Sequence, residues 1–264
     1  MFLGDSLTEG VGSKRISHVT ELAKQLGGSE FRLRPIESRN GQVDFNVAGL
    51  MQHGPSDLWL WNLACEGKTI QTDFEWLPLI SALHPELVVV FRGSLESIIR
   101  PAMLFEGAWP WWVPRSWRNY SAMDPRCYFS ATWWRKAKQT SVDALKQKAR
   151  LKLLSQQSGK PLMELNKLVQ YQSELLQQLR ALDARVLVLG LLPVDDACFP
   201  NSPEYFESVN AKLKEVASAS GAEFLDWASL LPAKGTHAEL FYRDSFHPNE
   251  AGARALAEIL LQAL

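Results

Sequence analysis

The fold class of this chain is indicated by short apolar runs that alternate with segments of helical periodicity. The run LVVVF at residues 87–91 is nearly all β-branched, which is typical of a strand that is covered on both faces. Further strands are predicted at residues 1–3, 58–63, 185–191 and 223–227, and helices at about 161–182, 203–220 and 249–264, with an earlier helix that ends at Gly27. This order predicts an α/β fold in which helical crossovers join the strands of a parallel sheet.

Two segments do not fit a minimal alternating domain. Residues 29–57 are expected to hold an extra hairpin or loop, and residues 97–160 form a Trp-rich insertion that could act as a lid. With 264 residues, 46% of them hydrophobic, the chain can bury a large core. We therefore expect one domain over residues 1–264 that carries these two insertions.

Composition argues against several classes of protein. A net charge of −1 and an isoelectric point near 6.5 do not suit a nucleic-acid-binding protein. The three cysteines include no CxxC pair, and His18, His53, His84 and His237 lack the close spacing of metal ligands, so neither a disulfide framework nor a metal site is expected. No apolar run is long enough to span a membrane and no signal-peptide pattern opens the sequence, which predicts a cytoplasmic protein.

The most informative polar residues lie at opposite ends of the chain. The first ten residues, MFLGDSLTEG, place Ser6 directly after the first predicted strand. A serine hydroxyl becomes a nucleophile only when a base removes its proton and an acid orients that base. Near the C-terminus, YRDSFHPNEAG supplies Asp244 and His247, three residues apart and just before the last helix. Taken alone, each of these residues could instead be an ordinary turn or helix-capping residue.

The motifs GDSLTEG and DSFHPNEAG together resemble those of the SGNH/GDSL hydrolase family, and the similarity covers most of the chain outside the insertions. The resemblance implies a three-layer α/β/α sandwich, flavodoxin-like, with a parallel sheet of about five strands. It also implies that Ser6 is the nucleophile, His247 the general base and Asp244 its orienting acid, and that the reaction needs no cofactor.

The family also implies an oxyanion hole, and here the sequence departs from the usual pattern. The backbone N–H of Ser6 and that of Gly67, in WNLACEGKT, match two of the donors. The third is usually the Asn of Gly-X-Asn-Asp, but the segment RGSLES places Leu95 at that position, and leucine donates no hydrogen bond from its side chain.

Nearby residues could replace the missing donor or bind an anionic substrate. Ser94 is a weak candidate for the oxyanion hole, and Arg92, Glu96 and Arg100 are candidates for substrate binding. Arginine suits an oxyanion because it is a permanently charged donor. The alternative is that both arginines are ordinary surface residues or partners of Glu96.

The insertion at residues 97–160 has a composition of its own. It holds six of the ten tryptophans, and the segment RKAKQTSVDALKQKARLK carries seven basic residues against one acidic residue. The aromatic rings could stack on a sugar, contact an acyl chain or lie in a membrane interface. Alternatively, they pack the insertion onto the domain while the lysines form a solvated helix face, which is why binding to a membrane surface is not expected.

The function indicated by the resemblance is that of a serine esterase that forms an acyl-enzyme on Ser6. The aromatic insertion favours an O-acetylated carbohydrate as substrate, with a lipid-like ester next. The partner is then a small-molecule or carbohydrate ester, not a nucleic acid. An O-acyltransferase that uses the same serine, and a catalytically inactive binding module that kept the fold, are the alternatives.

Overall fold

A parallel six-stranded sheet lies at the centre of the protein. The computed structural model describes residues 1–12, 16–33, 58–107, 109–118, 122–127, 130–156 and 158–264. The strands of this sheet are β1 (Phe2–Gly4), β2 (Ser29–Arg32), β3 (Trp59–Asn62), β4 (Leu87–Phe91), β7 (Arg185–Leu189) and β8 (Glu223–Leu225). Their spatial order is β2-β3-β1-β4-β7-β8, and every neighbouring pair is parallel. A separate antiparallel pair is formed by β5 (Arg100–Pro101) and β6 (Gly159–Lys160).

Helices cover the faces of the central sheet. The α-helices are α1 (Ser6–Glu9), α2 (His18–Leu26), α3 (Leu77–Leu83), α4 (Ser94–Ser97), α5 (Met103–Glu106), α6 (Trp133–Gln156), α7 (Leu165–Ala181), α8 (Ser202–Ala219), α9 (Trp227–Leu230), α10 (His237–Leu240) and α11 (Glu250–Ala263). Short 3-10 helices span Ile70–Trp76, Arg115–Trp117 and Leu231–Ala233. Helix α11 packs against α2. At its start, the side chain of Asn249 accepts hydrogen bonds from the backbone of Ala251 and Gly252, as expected of an N-cap residue.

The predicted α/β fold is confirmed. All five predicted strands form, and β4 has the predicted bounds. The sheet has six strands instead of about five, because residues 29–32 pair with β3 as an edge strand. Stacking of Phe31 on Trp59, with ring centroids 4.7 Å apart, stabilises this pairing, which the short and half-polar segment SEFR does not reveal in sequence. The rest of the predicted insertion at 29–57, from residue 34 on, lies outside the described residues.

The Trp-rich insertion forms a small apolar cluster of its own. Its buried residues are Met103, Val113, Met123, Ala149 and Leu153, with Trp109, Trp112 and Trp117 packed against them. The other three tryptophans are exposed: Trp111 by 91%, Trp133 by 80% and Trp134 by 50%. Three tryptophans therefore pack the insertion together, as one prediction states. The other three are exposed to solvent, as the alternative prediction of ligand contact requires. In the described ranges, no helix is long and apolar enough to cross a membrane.

Candidate active site

Ser6 lies at the first position of α1, immediately after β1. Asp5 caps this helix, and its Oδ1 accepts the backbone N–H of Leu7 at 2.9 Å. The turn needs glycine at position 4, because a Cβ there would lie 2.1 Å from Oγ1 of Thr8 on the helix. The motif Gly-Asp-Ser therefore holds the strand and the short helix close together and fixes the position of the Ser6 hydroxyl.

His247 and Asp244 meet Ser6 although 241 residues separate serine and histidine. The Nε2 atom of His247 lies 3.0 Å from Oγ of Ser6, and Nδ1 lies 2.6 Å from Oδ2 of Asp244. The other oxygen of Asp244 accepts the backbone N–H groups of Phe246 and His247, both at 3.1 Å. Asp244 is buried and the histidine ring is partly exposed. Both side chains are thus held in one turn just before α11.

This arrangement fixes the chemistry that the three side chains can perform. A carboxylate only accepts hydrogen bonds, so Nδ1 of His247 carries the proton and donates it to Asp244. Nε2 is then the basic nitrogen and faces the hydroxyl of Ser6. A base within hydrogen-bond distance of a hydroxyl can remove its proton as that oxygen attacks a carbonyl carbon.

Two backbone N–H groups, those of Ser6 and Gly67, are the predicted oxyanion donors. The strands β1 and β3 are neighbours, so the loop that follows β3 begins beside the Ser6 turn, where the backbone N–H of Cys65 donates to the carbonyl of Gly4 at 3.1 Å. Gly67 has a φ of 69°, a left-handed conformation that favours glycine. Within the described residues, neither the N–H of Ser6 nor that of Gly67 donates a hydrogen bond.

The segment after β4 contains the other candidates. Gly4 pairs with Phe91 in the sheet, which brings residues 92–97 to the same edge as Ser6. Ser94 is buried, and its Oγ has no hydrogen-bond partner among the described residues. Its role in an oxyanion hole stays a prediction. Leu95 is half-buried, while the residues on either side of it are buried.

The three predicted substrate-binding residues are buried and bound to protein groups. Arg92 forms a two-point ion pair with Asp73, at 2.7 Å and 2.5 Å, and also donates to the carbonyl of Lys68 at 2.8 Å. Glu96 accepts the backbone N–H of Ile70 at 2.7 Å. These contacts give no support to direct substrate binding by Arg92 or Glu96, which stays a prediction.

Arg100 connects the insertion to the segment after β4. It donates to Asp124 of the insertion at 2.8 Å and 3.0 Å and to the carbonyl of Leu95 at 3.2 Å. Its side chain is 1% exposed, so the described contacts give its predicted substrate binding no support either.

Burial of several acidic groups around one arginine shifts their ionisation. Burial raises the pKa of Glu96 to about 7, and the nearby Arg92 guanidinium only partly opposes this rise. Burial also raises the pKa of Asp5, again opposed mainly by Arg92. Glu96 is therefore partly protonated near neutral pH.

Replacing Glu96 by glutamine should change how stability depends on pH. Between pH 4.5 and 7 the unfolded chain releases the Glu96 proton while the folded protein retains it, so the free energy of unfolding falls as the pH rises. A shift of this size corresponds to about 3 kcal/mol. Glu96→Gln removes this loss, and its advantage over the wild type should grow from pH 4 to pH 8 in urea unfolding. A difference that is constant with pH would contradict the raised pKa.

Two further residues at this edge of the sheet, Glu9 and Asn62, form contacts that the sequence does not predict. The carboxylate of Glu9 accepts the backbone N–H of Glu66 at 2.7 Å, and the amide of Asn62 donates to the carbonyl of Thr8 at 3.1 Å. The motif GDSLTEG contains Glu9, but nothing in its spacing reveals a partner 57 residues away.

The Trp-rich insertion also reaches the triad, which is formed by Ser6, Asp244 and His247. The thiol of Cys127 and ligand atoms of Asp244 and His247 lie within 4.8 Å of one another. Asp143 of helix α6 forms an ion pair with Arg243 at 2.7 Å, next to Asp244 in sequence. The insertion is therefore positioned to influence the environment of the histidine.

A well-formed cavity in the described parts of the chain lies elsewhere. It has a volume of about 290 Å³ and is lined by residues such as Met1, Trp59 and Leu87, at the amino ends of the strands. The triad lies at the opposite edge, where α/β proteins usually bind their ligands. This cavity therefore lies apart from the candidate active site.

Comparison with known proteins bears on the family and the fold of this chain. The model of the GDSL-like Lipase/Acylhydrolase family matches residues 164–255, a segment that contains Asp244 and His247. No curated protein matches the sequence.

Solved structures share the fold over the whole chain. The acetyl xylan esterase AlAXEase has 13% identity and a TM-score of 0.55, covering 100% of both chains. TesA has 18% identity and a TM-score of 0.53, covering 100% of this chain and 96% of its own. A catalytic mutant of Axe2, an acetylxylan esterase from Geobacillus stearothermophilus, has 15% identity and a TM-score of 0.52, covering 99% and 91%. The family match over residues 164–255 and the shared fold confirm the resemblance to the SGNH/GDSL hydrolases and support an ester hydrolase of that type.

Proposed function

We propose that the protein is a serine esterase that cleaves a carboxylic ester through an acyl-enzyme on Ser6. The observation that carries this proposal is the continuous hydrogen-bonded path from Ser6 Oγ to His247 Nε2 at 3.0 Å, and from His247 Nδ1 to Asp244 Oδ2 at 2.6 Å. The base therefore contacts both the nucleophile and the orienting acid directly, and no other group has to connect them.

The reaction has two halves. His247 removes the proton of Ser6 as Oγ forms a bond to the ester carbonyl carbon, and the same proton then passes to the departing alcohol as its C–O bond breaks. In the second half, His247 takes a proton from water, the hydroxide oxygen bonds to the acyl carbon, and the bond from that carbon to Oγ breaks. The acid leaves, and Ser6 regains its proton from His247.

For the substrate, we propose an O-acetylated carbohydrate. AlAXEase and Axe2, which share the fold, are acetylxylan esterases. The exposed Trp111, Trp133 and Trp134 offer flat apolar faces on which a sugar ring can stack. The ion pair between Asp143 and Arg243 joins the insertion to the triad loop, so these aromatic residues belong to an element that contacts the site.

A panel of substrates tests this proposal. We expect kcat/KM for p-nitrophenyl esters to be highest with the acetyl group and to fall as the acyl chain lengthens, and we expect acetate release from acetylated xylooligosaccharides. A preference for long acyl chains would instead indicate a lipid-like ester. Transfer of the acyl group to an added sugar in place of water would identify an acyltransferase.

Leu95→Asn tests whether the oxyanion hole lacks a donor. An asparagine at this half-buried position would bring an amide N–H to the edge of the sheet that carries Ser6. One oxyanion donor contributes about 100-fold or more in rate when it is well placed. We expect Leu95→Asn to raise kcat about 10-fold with little change in KM, and Leu95→Ala serves as the control without a donor. An unchanged or lower kcat in the asparagine variant would show that another group already fills this place.

A further inference from the structure

The loop after β3 is attached to the Ser6 turn at its start. The backbone N–H of Cys65 donates to the carbonyl of Gly4 at 3.1 Å, and that of Glu66 donates to Oε2 of Glu9 at 2.7 Å. These two bonds fix residues 65 and 66 against the β1–α1 turn. We refer to residues 65–70 as the Gly67 loop.

The same loop is attached at its end to two buried side chains from the segment after β4. Nη1 of Arg92 donates to the carbonyl of Lys68 at 2.8 Å, and Oε1 of Glu96 accepts the N–H of Ile70 at 2.7 Å. Gly67 lies between the two attachments in its left-handed conformation. The direction of its N–H therefore depends on bonds made on both sides.

Arg92 is itself held in place by an ion pair, and Glu96 is buried. The ion pair of Arg92 with Asp73 uses two nitrogens and two oxygens, and all three side chains are fully buried. Burial of charged groups is costly, and well-packed apolar residues would often give the same stability or more. Stability alone therefore does not explain why Arg92, Asp73 and Glu96 are buried. The contacts of Arg92 and Glu96 with the Gly67 loop offer an explanation.

We propose that Arg92 and Glu96 are positioning residues of the oxyanion hole, which act by holding the Gly67 loop so that the Gly67 N–H points at the developing oxyanion. This inference rests on the proposed esterase function. Leu95 contributes no side-chain donor between them, so catalysis depends more strongly on the remaining backbone donors. Misplacement of a catalytic group by about 1 Å can lower the rate about 100-fold.

A matched pair of variants at Glu96 separates positioning from folding. Glu96→Gln keeps an oxygen that can accept the N–H of Ile70, whereas Glu96→Leu has a similar size and keeps no acceptor. Both leave the ion pair of Arg92 with Asp73 in place, and both remove a carboxyl group that is buried at a cost, so both should fold.

We expect Glu96→Leu to lower kcat for p-nitrophenyl acetate about 10- to 100-fold, with KM within about twofold of the wild type and no loss of melting temperature. Glu96→Gln should retain at least about a third of the wild-type kcat, because the acceptor is restored. A residue needed only for folding would lower the melting temperature or the folded fraction together with the rate, whereas a positioning residue lowers kcat in enzyme that is fully folded.

A second variant tests the other attachment. Arg92→Lys keeps the positive charge beside Asp73 but cannot bind Asp73 at two points and Lys68 at the same time. We expect kcat to fall at least about 10-fold with KM preserved.

The outcomes distinguish the inference from the function on which it rests. A wild type that hydrolyses no ester overturns the esterase proposal and this inference with it. A wild type that is active, with Glu96→Leu and Arg92→Lys indistinguishable from it in kcat, overturns the positioning role alone.

Discussion

Ser6→Ala is expected to lower kcat for p-nitrophenyl acetate by about 10⁴- to 10⁶-fold. The hydroxyl is the group in the triad that a base activates to form the acyl bond, and alanine leaves His247 without a proton to remove. KM should change little, because the hydroxyl contributes to bond formation more than to binding. Initial rates at high enzyme concentration would measure the remaining activity.

Ser94→Ala is the matched control for this substitution. Ser94 is also buried near the same sheet edge, and its Oγ has no described hydrogen-bond partner. We expect a loss of no more than about 10-fold there, since Ser94 is only a weak candidate for the oxyanion hole. Retention of more than about 1% of the wild-type rate by Ser6→Ala would argue that another residue carries the acyl group.

Asp244→Asn should lower kcat about 10⁴-fold although the shape of the side chain is kept. An asparagine can present its NH₂ group to Nδ1 of His247, which moves the ring proton to Nε2 and leaves no base beside Ser6. The backbone bonds that Asp244 accepts from Phe246 and His247 can survive through the amide oxygen. The protein should therefore fold, with its defect in kcat and not in melting temperature.

Asp226→Asn provides the control for the loss of a carboxylate. Asp226 caps α9 and accepts the N–H of Ser229, a role that asparagine also fills well. Its kcat should stay within about twofold of the wild type. If Asp244→Asn also kept most of its activity, the orienting role of Asp244 would be wrong, whatever the distances at the site.

Much of the fold could be predicted because its signals are local. The run at residues 87–91 is buried on both faces, and its continuous apolar character indicates β4 directly. The helix after Asn249 could likewise be predicted from its N-cap residue and apolar spacing. Strand β2 is not predictable from its own residues, because it is short, half-polar and at the edge, where pairing depends on the aromatic residues of β3.

The candidate site could be predicted only in part. Ser6, Asp244 and His247 lie in motifs that resemble those of the SGNH/GDSL family, and the structure brings all three together. The burial of Arg92 and Glu96 could not be read from the sequence, because ionisable residues are usually exposed. The partners of these two side chains lie about 20 or more residues away in the Gly67 loop and the following helix, and only the folded sheet brings them together.

Labelling with a fluorophosphonate tests most directly whether Ser6 is the nucleophile. The reagent bonds covalently to an activated serine, so the experiment does not require the substrate to be known. We predict a mass increase of one adduct per chain, mapped to the peptide that contains Ser6. The adduct should be absent in Ser6→Ala, at least about 100-fold slower to form in Asp244→Asn, and absent after denaturation of the wild type. An intact, folded wild type that gains no adduct, or gains it on another residue, would contradict the assignment of Ser6 as the nucleophile.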